Sequence, residues 1–175
     1  MRKPIGIDLS LTSTGFSFDG ITRTVTSAKK GVRRLVELAE QIEELVRATE
    51  PDSFACIEGY SFASRNSQAH ALGELGGVIR VMLYKNGRAV VEIPPTCRAK
   101  FATGRGNASK SEVISAVSAR TGMTWHGKGA DDEIDAYILE EMGLAFQGAP
   151  RHSWPQINME ALAKVDWSSL TKTEE

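Results

Sequence analysis

Residues 4–27 read Pro4-Ile-Gly-Ile-Asp8-Leu-Ser-Leu-Thr-Ser-Thr14-Gly-Phe-Ser-Phe-Asp19-Gly20-Ile-Thr-Arg-Thr-Val-Thr-Ser27. The apolar start predicts a strand over 4–10. Residues 14–19 and 21–27 alternate and meet at Asp19-Gly20, a dipeptide that favours the tight turn of a hairpin. Beyond this block, Val32, Leu35, Val36, Ala39, Ile42 and Val46 recur at helical spacing and predict a helix over 32–48, stopped by Pro51-Asp52. Residues 53–58 predict a short apolar strand. A second helix follows over 66–85, with Leu72, Leu75, Ile79 and Leu83 on its apolar side. Gly73, Gly76 and Gly77 interrupt that helix, which suits close approach by another backbone.

A fifth strand is expected at 89–93, ended by Pro94-Pro95, then a short helix at 96–102 and a Gly-rich turn at 103–107. Helices over 109–121, with Ser109 as N-cap, and over 130–146 complete the pattern. A hairpin followed by strand–helix–strand crossovers gives an α/β fold, a mixed five-stranded sheet flanked by helices. Strands one and four should be neighbours. Residues 1–147 then form one domain, and 148–175, rich in Pro, Trp, Ser and acids with weak periodicity, read as a partly ordered C-terminal tail.

The 175 residues are 41% hydrophobic, enough for one proper core. No apolar stretch is long enough to span a bilayer, and the N-terminus runs straight into a strand pattern without a signal peptide. A cytoplasmic protein, of a bacterial cell or a phage-infected host, is the expectation. Cys56 and Cys97 fit buried, reduced thiols, and His70, His126 and His152 are too scattered for a zinc site. The net charge of -1, from 21 basic and 22 acidic residues, argues weakly against nucleic acid. Distribution matters more: Arg98, Lys100, Arg105 and Lys110 occur with no acid among them.

Four acids stand out. Asp8 and Glu58 end apolar strands, where a carboxylate needs compensation. Asp132 and Asp135 lie three apart, so a helix would bring both to one face. Singly, each has a plain alternative: a turn acid, a loop acid, or a solvated acidic face shared with Asp131, Glu133 and Glu140. Together they suit a pair of hard divalent cations and metal-assisted phosphodiester hydrolysis. Asp131 and Glu133 stand close enough to be the helical ligands instead. The Asp8-to-Gly15 stretch also resembles the phosphate hairpin of actin-like ATPases and sugar kinases, but those have two such lobes and generally more than twice this length.

Ile5-Gly-Ile-Asp8 with Thr14-Gly15, the strand-end Glu58, and Asp132-x-x-Asp135-Ala resemble the RuvC family of Holliday junction resolvases. So does Ile93-Pro-Pro-Thr-Cys-Arg-Ala-Lys100-Phe-Ala-Thr-Gly104-Arg-Gly106-Asn-Ala-Ser-Lys110, and the likeness covers about residues 4–146. It implies an RNase H-like fold, a homodimer, and incision of four-way DNA junctions by paired nicks with Mg2+ (or Mn2+), two ions per site. Asp8, Glu58, Asp132 and Asp135 match the family's catalytic, metal-binding acids, and Lys100 and Lys110 its basic residues. Lys110 is expected to stabilise charge at the scissile phosphate, with Lys100, Arg98, Arg105 and Arg65 as DNA contacts. Tyr60 and Phe62 are either core residues or a wedge that stacks on bases at the branch point. Asp8-Leu9-Ser10 departs from the family's Asp-Pro-Gly, so a less selective RNase H-like nuclease acting on flaps, forks or RNA is the competing activity. A non-catalytic branched-DNA-binding module is a further alternative that would not need four acids.

Overall fold

The computed structural model describes residues 1–59 and 67–171. Strands β1 (Pro4–Asp8), β2 (Thr14–Phe18) and β3 (Ile21–Val25) form an antiparallel meander. Its second turn is built by Asp19 at φ 53° and Gly20 at φ 78°, the left-handed pair that a two-residue hairpin needs. Helix α1 (Val32–Arg47) crosses to β4 (Phe54–Glu58), which pairs parallel with β1. Helix α2 (Ser67–Lys85) crosses to β5 (Val90–Ile93), parallel to β4. The strand order is β3-β2-β1-β4-β5, so strands one and four are neighbours as expected. Helices α3 (Pro95–Thr103), α4 (Lys110–Thr121), α5 (Ala130–Phe146) and the short α6 (Gln156–Met159) follow.

Period-two alternation separates the two faces of the sheet. Ile5, Ile7, Phe16, Ala55 and Ile57 point to one side and pack with Leu38, Ile42 and Val46 of α1 and Leu75, Ile79 and Leu83 of α2. The stripe on α1 runs through Leu38 rather than Val32 and Val36, which stay exposed. The other face carries small or polar residues on its antiparallel side: Gly6, Asp8, Gly15, Ser17, Thr22 and Thr24. That flat surface receives α5, which is buried almost all round from Ile134 to Gly143.

The C-terminal segment differs from the expectation of a partly ordered tail. Trp154, Ala161, Val165 and Trp167 join the core beside Phe101 and Tyr137. Trp154 lies 4.4 Å from Phe101 and Trp167 stacks on Phe146 at 4.2 Å, centroid to centroid. Asn158 donates to the Phe101 carbonyl (2.6 Å), satisfying one acceptor near the C-terminal end of α3. The segment therefore braces α3. Isolated aromatic anchors on short turns have no sustained period, which is why hydrophobic spacing missed them.

Candidate active site

Asp8 and Glu58 are the next residues on two parallel strands after the paired Ile7 and Ile57. Strand spacing puts them side by side, and both alternate onto the face covered by α5. Asp132 and Asp135 occupy the first two turns of that helix, at the same end of the sheet. The convergence rests on glycine. A Cβ at Gly15, the residue paired with Asp8, would stand 1.9 Å from the Asp132 carbonyl oxygen. One at Gly6 would stand 1.9 Å from the Ala136 carbonyl oxygen. Gly15→Ala must push α5 off the sheet and carry Asp132 away from Asp8. We expect a loss of about 1–3 kcal/mol together with most of the activity, read by thermal denaturation and strand cleavage on one preparation. Normal values for both would show that the close approach is dispensable.

The four acids share one electrostatic environment. Burial pushes the Asp8 carboxyl well above the ordinary carboxylate range, and Glu58, Asp135 and Asp132 push it further, against the pull of Arg98. Burial likewise lifts Asp135 to about 6, with Arg98 opposing and Glu58 adding. Asp132 is raised by burial, while the nearby Ser13 hydroxyl and Lys110 favour its charged form. Such a cluster calls for positive charge. The structure already places one cation there: the Arg98 guanidinium ion-pairs with Glu58 through Nε and with Asp135 through Nη1. No three His, Cys, Asp or Glu side chains among the described residues close on a single ion position. The donor set nevertheless fits hard divalent cations, since it is all carboxylate oxygen and a cation is held among it.

The alternatives on α5 are engaged elsewhere. Glu133 accepts hydrogen bonds from Thr22 (2.7 Å) and Thr24 (2.5 Å) on the sheet, and Asp131 is exposed near Lys110, Nζ to Oδ2 3.8 Å. Glu140 is deep in the sheet interface, held by Ser17 (2.6 Å). Lys110 is the first residue of α4, positioned by a capping box between Ser109 and Glu112. The backbone N–H of Ser109 holds the Glu112 carboxyl down to about 2, so this contribution is complete above the ordinary carboxylate range and fades as pH falls toward that value.

The basic residues divide. Two positions on a helix are about 200° apart, so Arg98 turns into the acids and Lys100 turns away. Lys100 bonds Glu160 of the C-terminal segment at 2.8 Å. Arg105 is exposed and paired with Glu112. Tyr60, Phe62 and Arg65 lie outside the described residues. Cys56 and Cys97 are free and buried, and burial raises both thiols, as befits core residues. No helix among the described residues is long and apolar enough to cross a membrane. Sequence reading missed Arg98 as an internal cation. The phase of α3 was the available signal.

The beginning of β1 through the second turn of α5, residues 5–136, matches the family model for crossover junction endodeoxyribonuclease RuvC, a stretch containing all four acids. The chain is 34% identical over 124 residues to crossover junction endodeoxyribonuclease RuvC of Synechococcus sp. (strain WH7803), covering 71% of this chain and 78% of that protein. It is 30% identical over 152 residues to the protein of that description from Prochlorococcus marinus (strain NATL1A), covering 80% and 96%. The structure of T. thermophilus RuvC in complex with Holliday junction substrate superimposes with a TM-score of 0.65 at 20% identity, over 87% of this chain and all of that one (100%). The yeast mitochondrial Holliday junction resolvase Ydc2 gives 0.51 at 12% identity, over 79% and 76%. These two likenesses are of fold, and the mixed sheet with its flanking helices is RNase H-like. With that fold, a family match over three quarters of its length and a relative above 30% identity, this chain belongs to the RuvC family of crossover junction endodeoxyribonucleases.

Proposed function

We propose that this chain is a metal-dependent endonuclease that resolves four-way DNA junctions by paired nicks, acting in the cytoplasm of a bacterial cell or a phage-infected host. The observation that carries this is the meeting of Asp8, Glu58, Asp132 and Asp135 at one end of the sheet, all within the stretch that matches the family. These four side chains would hold Mg2+ or Mn2+, two per site. The ions, when bound, would supply Lewis acidity toward the scissile phosphate and its leaving oxygen. The chain's own residues do the rest. Recessed Asp8 and Glu58 fix the floor of the site through the β1–β4 ladder. Exposed Lys110, at a helix N-terminus beside the acids, offers positive charge to the phosphate. Arg105 stands on the rim, where a cation positions backbone without reading sequence.

A four-way junction has two-fold symmetry, and paired nicks need two sites, which a two-fold dimer supplies. Helix α2 presents an apolar stripe for that contact. Val78, Val81 and Tyr84 recur at helical spacing and are 38%, 55% and 69% exposed, and a Cβ on Gly77 would meet nothing within 4 Å among the described residues. The close approach expected at Gly77 is therefore assigned to a second copy, whereas Gly76 is buried within the chain. Cleavage of a substrate panel tests the reading. Four-way junctions should be cut well ahead of flaps, forks, linear duplex and RNA–DNA hybrid, and Val81→Asp should sediment as a monomer and lose paired incision. Equal cutting of forks and flaps would favour the broader nuclease.

A further inference from the structure

We infer that Arg98 is a resident counter-cation of the acid cluster, which holds Glu58 and Asp135 in the metal-free protein and is displaced when a divalent cation binds. This rests on the metal-site reading above. Its own support is geometric. Arg98 is on the inner side of α3 with only 13% of its side chain exposed, and it contacts carboxylates from two other elements, β4 and α5. At that depth the ion pairs are little screened by solvent. The guanidinium donates Nε–H to Glu58 and Nη1–H to Asp135, so it takes up lone pairs on two of the four acids. As placed, the carboxylates around it do not close on a single ion position. A divalent ion seated between Glu58 and Asp135 would face a like charge in contact with its own ligands.

The two cations therefore exclude each other. A small cavity of about 40 Å³, lined by Ala99, Ala108, Lys110 and Asp131 among others, adjoins the side chain and gives it a direction in which to leave the cluster. The small side chains Ala99 and Ala108 leave the space open, and Asp131 offers a new partner. The acid cluster is thus kept from self-repulsion before loading, and its affinity for metal is set by exchange rather than by ligand count alone.

Titration calorimetry with Mn2+ and thermal denaturation in EDTA, on wild type, Arg98→Gln and Asp8→Asn, test this. Arg98→Gln should bind Mn2+ roughly tenfold tighter or more, because a like charge beside the ion is gone. Its metal-free melting temperature should fall below wild type. Unchanged or weaker Mn2+ binding in Arg98→Gln, with wild type binding and Asp8→Asn not, would overturn the exchange alone. No binding in wild type would overturn the metal reading and the exchange with it. A measurement on wild type does not depend on the variant folding. The Nε–H resonance of Arg98 should exchange slowly with water in EDTA, and shift and exchange rapidly at saturating Mg2+. A resonance that stays protected and unmoved under saturation would contradict the inference.

Discussion

Asp8→Asn should bind a four-way junction and fail to cut it. Asp8 is the acid most enclosed by the others: Glu58 is beside it across the parallel ladder, and Asp132 and Asp135 face it from α5. A carboxylate there, raised by burial and by three like charges, is held in its ionised form only by a cation. Asparagine keeps the shape and removes the charge that would hold the ion. Metal assistance contributes several kcal/mol at the transition state, so a loss of about 4 kcal/mol, or roughly a thousandfold in rate, is expected. Binding rests on basic residues meeting phosphates and should be equal or tighter, since a negative charge has been taken from the site. Gel retardation and cleavage at one salt concentration check both halves. A variant that cuts within about tenfold of wild type in Mg2+, against that expected thousandfold loss, would remove Asp8 from the chemistry.

Arg151→Ala should be the most destabilising single change outside the site. Glu140 and Glu141 are 1% and 0% exposed, on the helix that carries Asp132 and Asp135. Arg151 pairs with both, reaching Glu141 at 3.0 Å, and Trp154 donates its indole N–H to Glu141 at 3.1 Å. Without the guanidinium two buried carboxylates lose their counter-charge, a change that costs about 3–5 kcal/mol. At roughly 2–4 °C per kcal/mol for a domain of this size, the melting temperature should fall by about 6–20 °C. Burial raises the Glu140 carboxyl while Arg151 and Ser17 hold it down. The folded state thus binds a proton that the unfolded state releases, and stability falls as pH rises from the ordinary carboxylate value through the raised one. Losing Arg151 raises Glu140 further, so the deficit should be larger at about pH 8 than at about pH 4.5, close to the ordinary carboxylate value. A deficit below about 1 kcal/mol, the level of an exposed pair, would show that these ion pairs are incidental.

Arg151 also shows where sequence reading stops. The hairpin, the two crossovers and the late helix were legible because alternation and 3.6-residue spacing are direct consequences of a sheet with one apolar face and helices packed on it. Asp8 and Glu58 stood out for a related reason, since charge at the end of a buried strand is out of place without compensation, and Asp132 and Asp135 stood out by their three-residue spacing on one helix face. Contacts set by helix phase and by distant pairing were not. Arg98 and Lys100 look alike in a basic run, yet α3 turns one into the acids and the other toward Glu160. Arg151, Trp154 and Trp167 lie in a stretch without period, and they reach the core from short turns. Glu133 stood close enough in sequence to replace Asp132 as a helical ligand, and only the fold shows it engaged by Thr22 and Thr24.

The most direct test is incubation of the protein with a synthetic four-way junction in Mg2+ and in EDTA, with each strand labelled in turn and the cuts mapped. Symmetric nicks in two opposed strands, leaving 5′-phosphate and 3′-hydroxyl ends in Mg2+ and none in EDTA or with Asp8→Asn, are predicted. Cutting that persists in EDTA, or scattered single incisions shared by wild type and Asp8→Asn, would contradict a metal-dependent resolvase built on these four acids.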